Sequence, residues 1–353
     1  MAVKVKPKPL FLIIVLAFLL LGIGVTWMVL ASPVDTHDTS NVEVDITSGN
    51  GVSKISDILK EKKLIRSKML FKIYIKLYSN KSLKAGTYNL SKSMDLSKIV
   101  STLEEGSSID SNSVKVTFKE GQRITDYAKV IAEATDNSYD DVISVFKDNT
   151  YMSELINEYW FLTDDILQNG IYYSLEGYLA PDTYYFKKDA SVKKIIETML
   201  DEMDKELSTY KSSIGNRVHY YLTMASMVEL EGKSLEDRQN IMGVFNNRLN
   251  IGMHLGSDVT TYYAFQVPMS DKLTSEQYNT ANPYNTRPTN KSGPPIGPIC
   301  NPSAISIEAA INPIDNDYLY FVADSNGKVY YSKSSEEQNR VIKNLISSGK
   351  WNG

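Results

Sequence analysis

The chain has 353 residues, enough for one large or two ordinary domains. Its 42% hydrophobic and 23% charged residues are globular values that exclude global disorder. Lys and Arg number 38 against 42 Asp and Glu, a net charge of −4, which argues against a nucleic-acid partner because that needs a concentrated basic surface.

Residues 10–31, "LFLIIVLAFLLLGIGVTWMVLA", carry no charge. A helix of that length can cross a bilayer core of about 30 Å. Lys4, Lys6 and Lys8 precede it, so the positive-inside rule puts a tail of residues 1–9 in the cytoplasm. Trp27 falls near the outer end, where an aromatic belt is expected. The competing reading is a cleaved signal peptide, with Ala31-Ser32 as a small-residue site. Either reading puts residues 32–353 on the external face, and the anchor reading makes the chain a single-pass membrane protein.

Residues 32–41, "SPVDTHDTSN", are a polar linker. Then Val42, Val44 and Ile46 alternate as a strand, Gly49-Asn50-Gly51 turns, and Ile55, Ile58 and Leu59 take helical spacing. The same strand-turn-helix order recurs over 83–106 and 114–131. Such small modules serve either as glycan binders or as spacers.

The clearest helix spans 190–210, where Val192, Ile195, Ile196, Met199, Leu200, Met203 and Leu207 make a packing stripe. Residues 217–231 predict another helix. Ser234 and Asp237 predict the N-cap of a third, which Gly252 ends, and the short connection makes the two an αα-hairpin. From 257 the chain is rich in Pro, Gly, Asn and Tyr, with four prolines in 294–302, and loops of that kind either line a cleft or stiffen a surface. Strands follow at 317–324 and 327–333, then a helix from about Ser335. The whole predicts an α+β fold: a module over 42–150 and a larger, helix-rich domain over 151–353 with a Pro/Gly/Asn-rich cleft region.

Chemistry concentrates at Glu229-Leu230-Glu231. Residues i and i+2 of a helix point about 200° apart, so the two carboxylates cannot act on one bond. Glu229 shares a small-residue face with Ala225 and Ser226, which lets a bulky substrate approach, whereas Glu231 is expected to be solvated at the helix end. A carboxyl in apolar surroundings holds its proton near neutral pH, as a general acid must. The residues alone leave Glu229 as either that acid or an exposed or structurally paired Glu. Asp258 is the second carboxylate a hydrolase would need, or else a loop cap. Thr260, Tyr284, Asn285 and Asn301 can hydrogen-bond sugar groups, Arg248 can pair with a carboxylate, and Tyr184 and Tyr185 can stack on sugars. Cys300 has no histidine beside it and reads as a small core residue. No His/Cys/Asp cluster has metal-ligand spacing, and neither a Gly-rich phosphate loop nor a Gly-x-Ser-x-Gly nucleophile motif is present, so no cofactor is expected.

"MASMVELEGKSLEDRQNIMGVFNNRLNIGMHLGSDVTTYYA", "LKAGTY" (83–88), "SLEGYLAPDTYYF" (174–186), "PYNT" (283–286), "GPICNPSAISIEAAINP" (297–313) and "YLYFVAD" (318–324) together resemble the YceG/MltG-like endolytic murein transglycosylases. The resemblance runs from about residue 42 to the C-terminus. It implies a membrane-anchored enzyme that cuts nascent peptidoglycan strands internally between N-acetylmuramic acid and N-acetylglucosamine. The products would be 1,6-anhydro ends that terminate glycan elongation. It also implies a LysM-like membrane-proximal module, Glu229 as the catalytic glutamate, and penicillin-binding proteins and other wall synthases as partners. A non-catalytic glycan-binding scaffold and a two-carboxylate hydrolase are the alternatives. Three positions depart from the family pattern: Arg287 stands where Tyr is common, Gln338 where His is usual, and Val259 where Pro is usual.

Overall fold

The computed structural model describes residues 21–22, 24–47, 49–79, 81–106, 113–288 and 292–351. The expected cytoplasmic tail and residues 10–20 of the expected membrane segment lie outside the described residues. Residues 24–31 are helical, and no helix among the described residues is long and apolar enough to cross a membrane.

The chain divides into two compact units after Ser113. In the first, β1 (Val42–Ile46) is followed by α1 (Val52–Glu61), α2 (Lys68–Tyr78), β2 (Gly86–Leu90) and α3 (Leu96–Glu105). β1 and β2 pair antiparallel, Val42 opposite Leu90 and Ile46 opposite Gly86. Alternation puts Val44, Ile46, Tyr88 and Leu90 on the buried face. Against them pack Ile55, Leu59, Phe71, Ile99 and Leu103, all fully or almost fully buried. Ser67 caps α2 through Leu70 N and Asp95 caps α3 through Lys98 N, which fixes where each helix begins.

The sequence expectation runs the module to 150, whereas the compact unit ends at Ser113. The third strand-turn-helix repeat leaves the first two because Val116, Phe118, Ile124, Tyr127 and Ile131 are buried in the core of the larger unit. There β3 (Ser113–Thr117) pairs with β4 (Thr183–Lys187). Between them come α4 (Ile124–Ala134), α5 (Tyr139–Phe146), α6 (Asn149–Glu158) and a 3₁₀ turn at Asp164–Leu167. Next are α7 (Val192–Ser208), the single-turn α8 (Lys211–Ile214), α9 (Val218–Glu231) and α10 (Leu235–Asn250). The chain continues through α11 (Asp258–Ala264), α12 (Ser275–Asn279) and α13 (Ala304–Ile311), then the hairpin β5 (Tyr320–Ala323) and β6 (Val329–Ser332), and finally α14 (Ser335–Ser347). All seven apolar residues of the predicted α7 stripe are buried. Ser234 caps α10 through Asp237 N, and Gly252 sits two residues past its end with φ of +70°.

α9 is the axis of this unit. Leu222 to Val228 are all buried, so it lacks the one-sided apolar stripe of a surface helix. α10, α11 and α13 pack around it. The Pro-rich stretch 294–302 packs against the protein interior. It lies across α9, where Ile299 N donates to Ser226 Oγ at 3.0 Å and Cys300 Sγ donates to Ser226 O at 3.3 Å. Cys300 is fully buried, in keeping with a core role. The same stretch meets Gly177, whose φ is +82°. A Cβ there would lie 2.3 Å from Pro298 Cβ, so no other residue fits.

Glu176, beside that glycine, is a buried acid. Its Oε1 accepts from Ile124 N at 3.0 Å and its Oε2 from the Tyr263 hydroxyl at 3.0 Å. Burial pushes its carboxyl up to about 8. In the unfolded chain it ionises near pH 4.5, so the folded state loses stability as pH rises from there through about 8. The melting temperature should therefore fall across that window, and Glu176→Gln, which keeps a neutral group of the same shape, should flatten the fall. Thermal melts of both proteins between pH 5 and about pH 8 check this.

Candidate functional site

The two carboxylates at the end of α9 part company as helix geometry requires. Glu229 turns inward. Its Oε1 accepts from Arg238 Nη2 at 3.1 Å, and its Oε2 accepts from Ser303 N at 2.9 Å and Ser303 Oγ at 2.5 Å. The side chains of Glu229 and Arg238 are only 6% and 9% exposed. Arg238 is fixed in turn by Gly232 O and Ser303 Oγ. Ser303 is the N-cap of α13, so Glu229 places its charge at the positive end of that helix. Glu229 therefore ties α9, α10 and α13 together, and it does not line the cleft described next.

Glu231 turns the other way, into a cleft of about 720 Å³. It is recessed rather than solvated, which corrects the expectation for this residue. Its Oε1 accepts from Ser257 Oγ at 2.6 Å. Burial pushes its carboxyl above the usual carboxylate range. The Ser257 hydroxyl opposes that push, Asp258 adds to it, and Arg248 and Arg287 oppose it. Residues 253–258 form one wall, β5 another, and Gln338, Ile342 and Trp351 close the far side. Asp258, at the start of α11, is pushed up by burial and held down by Arg287 and Tyr278. His254 is pushed below its ordinary value, by burial first and then by the two arginines. Arg248 is not available as a free cation. Its Nε donates to Leu319 O at 2.6 Å, another nitrogen donates to Leu255 O, and its guanidinium lies 5.4 Å from the Tyr320 ring centre.

Of the five residues expected to contact substrate, only Asp258 lines this cleft. Thr260, Tyr284, Asn285 and Asn301 are fully buried. Their polar groups are spent on protein, because a buried donor or acceptor left unpaired costs about 1–3 kcal/mol. Thr260 Oγ1 donates to Ser257 O at 2.6 Å and contacts Thr286 Oγ1 at 2.8 Å, while Ser257 N donates to Thr286 Oγ1 at 3.2 Å. Asn285 Oδ1 accepts from Thr261 Oγ1 at 2.8 Å and from Arg287 N at 3.2 Å. These bonds interlock 256–258 with 285–287 and so set where Ser257, Asp258 and Arg287 stand. Asn301 Oδ1 accepts from Gly177 N and Leu179 N, and the Tyr284 hydroxyl accepts from Tyr172 N. Tyr184 packs in the core beside Phe118 and Phe186, and Tyr185 lies under Lys115. Sequence reasoning missed Ser257, Tyr320, Ile342 and Trp351 because residues this far apart meet only in the fold. Arg287 and Gln338 were visible only as departures from a pattern. Among the described residues, no group of three or more His, Cys, Asp or Glu side chains could hold a metal ion.

The chain belongs to the YceG-like family, which matches residues 44–344. A relative from Bacillus subtilis strain 168, named endolytic murein transglycosylase, is 37% identical over 324 residues, covering 90% of this chain and 89% of that protein. A relative of the same name from Streptococcus pneumoniae is 33% identical over 335 residues, covering 90% of this chain and 60% of that protein. The crystal structure of the yceG-like protein lmo1499 from Listeria monocytogenes matches with a TM-score of 0.61 at 36% identity. The match covers 86% of this chain and 99% of that one.

The inward pair has a measurable weight. Removing one partner of a buried ion pair costs about 3–5 kcal/mol because the other charge is left unpaired. Arg238→Met should lower unfolding stability in urea by about that much. Glu229→Gln keeps a carbonyl oxygen for Ser303 and should cost less, about 1–3 kcal/mol.

Proposed function

We propose that the chain is a membrane-anchored lytic transglycosylase that cuts peptidoglycan strands internally, with Glu231 rather than Glu229 as the proton-transfer group. The observation that carries this reading is that Glu231 is recessed, protonatable and open to the cleft. Glu229 is bonded to Arg238 and Ser303 on the other side of the helix and does not line this cleft.

Protonated Glu231 donates to the oxygen bridging N-acetylmuramic acid and N-acetylglucosamine. That bond breaks, and positive charge develops at the muramic C1. The Glu231 carboxylate then takes the proton of the muramic 6-hydroxyl, whose oxygen closes on C1 as a 1,6-anhydro ring. One carboxylate serves as acid and then as base, and the substrate's own hydroxyl replaces water. The Ser257 hydroxyl stabilises Glu231 in its ionised stage. The uncharged run at 10–31 serves as the anchor that keeps the enzyme beside nascent strands, where wall synthases such as penicillin-binding proteins would meet it. The strand-helix-helix-strand order of the first unit supports a LysM-like, glycan-binding role for it.

Asp258 in the same cleft keeps a hydrolytic reading in play, since a hydrolase needs a second carboxylate. Digesting isolated strands and weighing the fragments separates the two. Anhydro ends are expected; reducing ends, one water heavier, would establish the hydrolase, and intact strands would leave a scaffold. Glu231→Gln should lower cleavage at least about 100-fold, in line with the loss of a general acid. Glu229→Gln should cost stability first, and any loss of rate should track the fraction unfolded.

The pH profile carries a second expectation. The acid form of Glu231 is required, so kcat/KM should fall on the alkaline side with a midpoint above the ordinary glutamate range. Asp258 raises the proton affinity of Glu231, so Asp258→Asn should move that limb to lower pH. A limb unmoved in Asp258→Asn would disconnect the two groups.

A further inference from the structure

Arg287 stands at the cleft mouth with its side chain 40% exposed. Its Nη1 donates to Gly256 O at 3.0 Å and lies 3.2 Å from Asp258 Oδ1, and its guanidinium lies 4.9 Å from the Tyr278 ring centre. Its backbone is fixed as well. Arg287 N donates to Asn285 Oδ1, and Asn285 Nδ2 in turn donates to Gln277 O and Thr280 O, both at 2.9 Å. The guanidinium is thus anchored at one nitrogen, stacked on one face and open to the cleft.

Its carboxylate partner is also hydrogen-bonded to the Tyr278 side chain. Asp258 is 48% exposed, and a half-exposed ion pair contributes only about 0–1 kcal/mol. An incoming carboxylate can take the place of Asp258 at small cost, and the planar fork of arginine suits it because two parallel N–H bonds match its two oxygens. The remaining cleft charges do not compete for that role. Glu231 is bonded to Ser257, Arg248 is bound to backbone carbonyls, and His254 is held toward its neutral form.

A peptidoglycan strand brings carboxylates on the stem peptides of its muramic residues. We propose that Arg287 is a specificity-determining residue that binds a stem-peptide carboxylate and so selects strands with charged stems. This rests on the glycan-strand reading of the cleft and adds a recognition element to it.

The test uses the full chain and two matched substrates: strands with free stem carboxylates, and the same strands with those carboxylates converted to neutral amides. Anhydro ends are counted to give kcat/KM on each. The wild type should prefer the charged strands about tenfold, equivalent to about 1.4 kcal/mol. Arg287→Leu should bring the ratio close to one, and Arg287→Lys, which keeps the charge without the fork, should fall between. Thermal melts of both variants establish that they fold. A wild-type ratio near one, or an Arg287→Leu ratio as large as the wild type's, would overturn the inference while leaving the cleavage reading intact. Absence of anhydro ends from both substrates would instead overturn the cleavage reading, and the inference with it.

Discussion

The buried ion pair between Glu229 and Arg238 is the contact on which the rest of the second unit depends. Two charges out of water are tolerable only where every remaining hydrogen-bond site is filled. Here Gly232 O, Ser303 N and Ser303 Oγ fill them. The pair fixes the rotation of α9 about its own axis, because it pins one face of that helix to α10 and to the N-terminus of α13. With that rotation set, the residue two positions on has one direction left to it. Glu231 faces the cleft of Ser257 and Asp258, on the opposite side of α9 from the ion pair.

Around Glu231 lies a layer of small buried polar side chains that never reach the cleft. Thr260 and Thr261 exchange hydrogen bonds with Thr286 and Asn285, joining two segments 24 to 26 residues apart in sequence. Such a network shapes function at one remove. It holds Ser257 against Glu231 and Asp258 against Arg287, so that the cleft presents a protonatable acid flanked by a balanced pair of charges. Asn301 does comparable work deeper in the unit, joining the turn at Gly121 to the Gly177–Leu179 segment.

Much of the fold was legible in the sequence. The α7 stripe, the Ser234 cap and the β1 alternation rest on local periodicity and capping, which act over a few residues. The domain boundary was not legible, because the third strand-turn-helix repeat has the same local pattern as the first two and differs only in the core that buries it. The candidate site was half legible. Helix geometry stated that the two glutamates must face opposite ways, but which one faces the cleft depends on Arg238 and on Ser303, 74 residues away from Glu229. The small face at Ala225 and Ser226, read as room for substrate, is filled by the Pro-rich stretch through Ile299 and Cys300. Thr260, Tyr284, Asn285 and Asn301 were singled out as polar residues, and their polarity proved to serve buried protein groups.

We propose that Glu231, and not Glu229, meets the scissile bond. A crystal structure of Glu231→Gln with a bound glycan tetrasaccharide tests it most directly. The bridging oxygen is expected within hydrogen-bond reach of the substituted side-chain amide, in the cleft lined by Asp258 and Arg287, with the Glu229–Arg238 pair intact. A bridging oxygen seated beside Glu229, with Arg238 displaced to admit it, would contradict the account.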